Sequence, residues 1–181
     1  MSGVGIVLLT GSPSSASRSS YVAGIIEKHA ADAGIPTRSF SIRDFDPADV
    51  FYGKADGPAQ AAFVRAVVEA SAIVLSTPVY KGTYAGGLKA IVDLIPPDAL
   101  AGKAALGIAT TRLPAHGAGV DRGYRDLFAF FRTRVVDTLV VHDDELKITD
   151  GRGEIGDAAA ERVAKAARAL VGALGDATGA R

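Results

Sequence analysis

The stretch VGIVLLTGSPSSASRSS, residues 4–20, decides the fold. Residues Val4 to Thr10 are continuously apolar rather than alternating, the pattern of a strand buried on both faces of a parallel sheet. Gly11 ends the run, and serines follow where a helical pattern opens. A buried strand, a small-residue turn and a helix in direct succession form the opening unit of a doubly wound α/β domain. In such domains ligands bind beyond the carboxyl ends of the strands.

The same alternation continues along the chain. Strand candidates follow at Thr37 to Ile42, Ala72 to Thr77, Lys103 to Thr110 and Arg134 to His142. Between and after them, apolar residues at three and four spacing mark helices near Ser17 to Ala33, Pro58 to Ala70, Tyr84 to Ile95, Val120 to Arg132 and Asp157 to Leu174. Regular alternation predicts a five-stranded parallel sheet, order 2-1-3-4-5, with helices on both faces and right-handed crossovers, a flavodoxin-like α/β fold. Residues 1–174 read as a single domain, with 175–181 (GDATGAR) as a fraying tail that has little to bury.

Composition narrows the chemistry. Of 181 residues, 48% are hydrophobic and 22% charged, which fits a soluble globular protein. Twenty basic side chains balance twenty acidic ones, and none of the Lys or Arg residues cluster, which argues against nucleic acid and against a membrane surface. No cysteine is present, so disulfides and thiolate nucleophiles are excluded, and redox chemistry would need a bound cofactor. The amino-terminal MSGVGIVLLTGSP lacks a charged leader and is too short to span a bilayer, so the expected location is cytoplasmic.

The loop Gly11 to Ser20 offers hydroxyls and backbone N–H groups at the positive end of the next helix, a setting that satisfies a phosphate dianion. It contains neither G-x-x-x-x-G-K-[ST] nor G-x-G-x-x-G, which weighs against nucleoside triphosphates and dinucleotide binding of the Rossmann type. A plainer reading makes Ser17 a helix cap and the other serines filler. After the third strand comes TPVYKGTYAGGLK, residues 77–89, an aromatic and glycine-rich loop. With the third strand beside the first, both loops face one crevice, and a phosphate at one with a flat ring at the other matches the span of flavin mononucleotide (FMN).

On GSPSSASRSS at 11–20, STPVYKGTYAGGLKAIVDLIPPDALAGK at 76–103 and the run to about residue 142, the chain resembles the NAD(P)H-dependent FMN reductases. It is most similar to the branch that supplies reduced flavin to alkanesulfonate monooxygenases. The resemblance implies that Ser12, Ser17, Arg18, Ser19 and Ser20 hold the FMN phosphate. It puts the ring beside Pro78, Val79, Tyr80, Lys81 and Gly82, with Thr110, Thr111 and Arg112 on a third loop of the crevice. It also implies NADPH or NADH as electron donor, a homodimer or homotetramer, and a flavin-dependent monooxygenase as partner. The neighbouring readings are an FMN-retaining reductase of quinones, azo dyes or metal oxyanions, and a non-enzymatic flavin electron carrier. The neutral charge and the Lys81-bearing loop speak against the carrier.

The sequence departs from the family pattern in two places. Where relatives carry Ala-Thr-Gly-Gly, this chain has Ala109-Thr110-Thr111-Arg112, which puts side chains in place of hydrogens and a guanidinium near the ring. In Val120-Asp121-Arg122-Gly123-Tyr124, Arg122 stands where the branch has a tyrosine. His29, His116 and His142 lack ligand spacing, Asp143-Asp144-Glu145 reads as a solvated turn, and Asp93 reads as a cap or the partner of a nearby cation. No G-x-S-x-G elbow occurs, which disfavours acyl transfer.

Overall fold

Ile6–Thr10 forms strand β1, in which Ile6, Val7, Leu8 and Leu9 are all buried. Ile6 and Leu8 join one apolar cluster and Val7 and Leu9 another, so the strand is covered on both faces and has no reason to alternate. The computed structural model describes residues 5–149 and 152–178; Val4, the first residue of the expected strand, lies outside the described residues.

Beyond β1 come β2 (Thr37–Ser41), β3 (Ala72–Tyr80), β4 (Thr83–Tyr84), β5 (Ala104–Thr111) and β6 (Arg134–His142). The spatial order β2-β1-β3-β5-β6 is parallel throughout, and β4 folds back antiparallel on the end of β3. Counting only the parallel strands, this is the expected order 2-1-3-4-5. The small β4 makes the sheet six-stranded. A separate antiparallel hairpin of β7 (Leu146–Thr149) and β8 (Arg152–Ile155) follows the sheet.

The helices are α1 (Arg18–Asp32), α2 (Pro47–Phe51), α3 (Pro58–Glu69), α4 (Gly86–Val92), α5 (Gly117–Phe130) and α6 (Asp157–Thr178). Val22 and Ile26 of α1 and Val163 and Leu170 of α6 cover the sheet face that carries Ile6, Leu8, Val74 and Leu106. Phe63 of α3, Leu88 of α4 and Tyr124 of α5 cover the opposite face with Val7, Leu9, Ile73 and Leu75.

Several boundaries differ from the sequence reading for local reasons. β3 runs past Thr77 to Tyr80 because Pro78 still pairs with Thr110 and the next residues pair with β4. Helix α4 therefore starts at Gly86 rather than Tyr84, which is in β4, and it ends at Val92 rather than Ile95. Helix α5 begins at Gly117, ahead of Val120, and ends at Phe130, short of Arg132. Helix α6 continues beyond Leu174 to Thr178, and residues 179–181 lie outside the described residues. Helix α2 has its own start signal in Asp46, whose side chain accepts from the N–H groups of Ala48 and Asp49, followed by Pro47 in the first turn.

Helices α1 and α5 close with the same hydrogen-bond pattern but different residues. After α1, Gly34 (φ 72°) donates to the Ala31 carbonyl and Ile35 to that of Ala30. After α5, Arg132 (φ 54°) donates to Ala129 and Thr133 to Phe128. A left-handed conformation suits glycine and costs a side-chain-bearing residue about 1 kcal/mol. The Arg132–Asp98 ion pair is exposed on both sides and offsets little of that. Arg132→Gly is therefore expected to raise the thermal midpoint by about 2–4 °C, read by circular dichroism.

Candidate functional site

Beyond β1 the chain turns sharply. Gly11 donates its N–H to the Ser76 carbonyl at 2.6 Å, and a methyl group on Gly11 would meet Leu88 Cβ at 2.7 Å. Ser12 is buried, and its Oγ accepts the Ser14 N–H at 3.2 Å, curling the loop. Ser17 caps α1 by accepting the Ser20 N–H, and its Oγ lies 2.9 Å from Ser19 Oγ. The loop thus ends at the amino terminus of a helix of 15 residues, where the helix dipole favours an anion.

A cleft of about 400 Å³ opens at this point, lined from three loops. The first contributes Ser12, Ser14, Ala16, Ser17 and Arg18; the end of β3 contributes Pro78, Val79 and Tyr80; the end of β5 contributes Thr110, Thr111 and Arg112. Asp143, after β6, completes the wall. Most of the residues that the sequence singled out are therefore brought together.

Ser19, Ser20, Lys81 and Gly82 are placed elsewhere. Ser19 is fully buried beneath the helix start, and Ser20 faces a neighbouring hollow with Glu27 and Ser39. Lys81 (φ 53°) and Gly82 (φ 90°) form the two-residue turn between β3 and β4, both in the left-handed region as hairpin turns of this length demand. Thr77 supports that hairpin from below: its Oγ1 accepts the Ala85 N–H and donates to the Pro78 carbonyl, each at 2.9 Å.

The charges of the cleft are Arg18, Arg112 and Asp143. Arg18 Nε donates to the Leu146 carbonyl at 2.9 Å, and its Nη1 lies 3.7 Å from Asp143 Oδ2, so the guanidinium is aimed by the start of the β7–β8 hairpin. Thr111 turns its Oγ1 onto the N–H and carbonyl of Leu113, which leaves Arg112 as the exposed member of the Thr110–Arg112 wall. The acidic run 143–145 is a turn, as the sequence reading has it, with Asp144 exposed, and Asp143 has a further contact. It faces the cleft and Arg18, an arrangement made by contacts distant in sequence. Glu145 in the same run accepts the His142 N–H and pairs with Arg162 of α6. Asp93 pairs with Lys89, as its helical spacing suggested. Among the described residues no group of His, Cys, Asp and Glu could hold a metal ion, and no helix is long and apolar enough to cross a membrane.

Comparison with known proteins gives a consistent set of relatives. Residues 4–146 match the family of NADPH-dependent FMN reductases. The chain is 31% identical over 147 residues to FMN reductase (NADPH) of Pseudomonas putida, covering 81% of this chain and 75% of that protein. It is 31% identical over 139 residues to FMN reductase (NADPH) of Escherichia coli, covering 77% and 73%. Among solved structures, the apo form of NADH:FMN oxidoreductase (EMOB) superposes with a TM-score of 0.82 at 29% identity, covering 92% of this chain and 88% of that one.

The turn that presents Asp143 has a pH signature. The hydrogen bond from Arg162 first, then that from the His142 N–H, holds the Glu145 carboxyl below its ordinary value of 4.5. A depressed carboxyl contributes stability that is present above its unfolded value and is lost as pH falls through the folded one. Urea unfolding of Glu145→Gln should show lower stability than the parent at neutral pH, with the difference shrinking below about pH 4.

Proposed function

Since this chain belongs to the NADPH-dependent FMN reductase family, we propose that the cleft beyond β1, β3 and β5 is its flavin site, with the phosphate at the α1 end and the ring between the other two loops. The observation that carries this is the convergence of Ser12, Ser17, Arg18, Pro78, Val79, Tyr80, Thr110, Thr111 and Arg112 on a single cleft. The donor set fits FMN: hydroxyls, helix N–H groups and a guanidinium suit a dianion, and a trough between strand ends suits a flat ring.

Bound FMN supplies the redox chemistry, accepting hydride from NADPH or NADH, so the protein acts as an oxidoreductase without needing an acid or base of its own. The chain's work is to bind and orient. Ser12, Ser17 and the first N–H groups of α1 hold the phosphate, and Arg18, steered by Leu146 and Asp143, adds a charge-assisted bond. Val79 and Tyr80 offer backbone polar groups to the ring's edge, and the half-exposed Tyr80 side chain shields one side. Arg112 sets a positive charge at the ring end, which favours negative charge there. In this reading Ser19 lies beneath the helix start, and Lys81 and Gly82 shape the cleft through the hairpin turn.

The reading includes one flavin-binding domain over 1–174, a cytoplasmic homodimer or homotetramer, and delivery of reduced flavin to a flavin-dependent monooxygenase. An apolar hollow of about 730 Å³ between α2 and α4, rimmed by the exposed Phe51, supports a subunit contact on that side.

The test is anaerobic addition of NADPH or NADH to the protein mixed with FMN, following the visible flavin absorbance. Bleaching by at least one nucleotide is expected, and no bleaching by either overturns the reading. Arg18→Gln should raise the Kd for FMN roughly tenfold, because a charge-assisted hydrogen bond contributes about 1.5 kcal/mol or more.

A further inference from the structure

The β3–β4 hairpin carries Val79 and Tyr80 into the cleft, yet it is only two residue pairs long, Val79 with Tyr84 and Tyr80 with Thr83. A ribbon that short does not hold its own position in water. One support comes from Thr77, as described above. The other comes from α5, which passes beside β4.

The contact is made by glycines on one face of α5. A Cβ built on Gly119 would fall on the carbonyl oxygen of Gly82, at the tip of the hairpin. A Cβ on Gly123, one turn further along the same face, would meet Thr83 Oγ1 at 2.8 Å and Tyr84 Cε1 at 3.1 Å. The two glycines form a notch, and the hairpin lies in it. The obstacle at Gly119 is backbone, which cannot rotate aside as a side chain does. The floor of the notch is rigid as well. Val120 and Tyr124 of α5 are fully buried, and the Tyr84 ring packs on that of Tyr124 with centroids 5.7 Å apart.

We infer that Gly119 and Gly123 are positioning residues: the notch they form in α5 sets the height of the β3–β4 hairpin and thereby the placement of Val79 and Tyr80 against the flavin ring. This rests on the reading of the cleft as the FMN site. A methyl group at Gly119 lifts the Lys81–Gly82 turn off α5, and because the strands are so short the displacement carries to Tyr80. A misplacement of about 1 Å is enough to cost a positioned contact much of its effect.

The experiment compares Gly119→Ala with the parent and with Gly117→Ala, whose methyl group meets only Val140 Cγ1 at an ordinary 3.6 Å. Two readouts are taken: the Kd for FMN, and trypsin cleavage after Lys81 in the FMN-free protein. Gly119→Ala should bind FMN roughly tenfold more weakly. It should also be cut several-fold faster at Lys81, with cleavage after Lys89 and Lys103 unchanged, while Gly117→Ala matches the parent in both. A folded Gly119→Ala cut at Lys81 at the parent's rate overturns the inference, as does a rise in cleavage spread evenly over all three lysines. Should Gly119→Ala not fold, Gly123→Ala is read against the same outcomes. If the parent takes up no FMN, the functional reading falls, and cleavage at Lys81 still decides the notch.

Discussion

Ser76 sits where the two loops of the cleft are tied together. Its backbone carbonyl accepts the Gly11 N–H at 2.6 Å, extending the β1–β3 pairing by one residue beyond Thr10, and its buried Oγ donates to the Ser19 carbonyl at 2.7 Å. One residue of β3 therefore fixes both the exit from β1 and the first turn of α1. The intervening loop, residues 12–17, is thus anchored at each end by a buried hydrogen bond. Anchored ends lower the conformational entropy that a loop has to lose on binding a ligand. Gly11 makes this closure possible, since any side chain there would collide with Leu88 of α4.

The ring side depends on a second tie. Tyr124 lies fully buried over Gly107, where a methyl group would come within 2.7 Å of its ring. Its hydroxyl sits 2.8 Å from the Leu75 carbonyl and 3.0 Å from that of Ile108, sharing its proton across β3 and β5. Burial pushes this phenol well above its ordinary value, with Tyr84 adding to the shift, so it remains a neutral donor. The strands that end in Pro78–Tyr80 and Thr110–Thr111 are thereby linked from outside the sheet. α5 acts on the cleft twice, through this hydroxyl and through its glycine face.

The sequence made the sheet and the two principal loops legible for distinct reasons. An unbroken apolar run such as 4–10 has no stable home except between two helical layers, and a serine loop at the start of a helix has an obvious electrostatic use. The β7–β8 hairpin was not legible: its strands, LKIT and RGEI, are short and polar, and what holds it lies far away in the chain. The Tyr21 hydroxyl donates to the Gly153 carbonyl across 132 residues, and Arg18 reaches Leu146 across 128. Asp143 escaped for the same reason, because its neighbour in space is Arg18. Lys81 and Gly82 are a different case. A two-residue lysine-glycine step between Val79-Tyr80 and Thr83-Tyr84 is itself a hairpin signal, one that a reading by ligand chemistry alone does not draw on.

The third loop shows why a substitution must be placed before it is interpreted. The sequence resemblance implies a pair of glycines where this chain has Thr111 and Arg112, and by that reading both side chains would crowd the cleft. In the fold only one of them projects outward. Thr111 is buried, and its Oγ1 serves the Leu113 N–H and carbonyl, so its bulk is absorbed in the turn. What the Thr111-Arg112 pair adds to the cleft is thus charge rather than bulk. The cleft holds two guanidinium groups, Arg18 and Arg112, against the single carboxylate of Asp143. Asp143 lies beside Arg18, where a phosphate would already oppose the positive charge, while the positive charge of Arg112 at the other end has no carboxylate beside it among the cleft residues. The α1 end of the cleft is thus built like an ordinary helix-terminus anion site, and the β5 end carries an unopposed positive charge among the cleft residues.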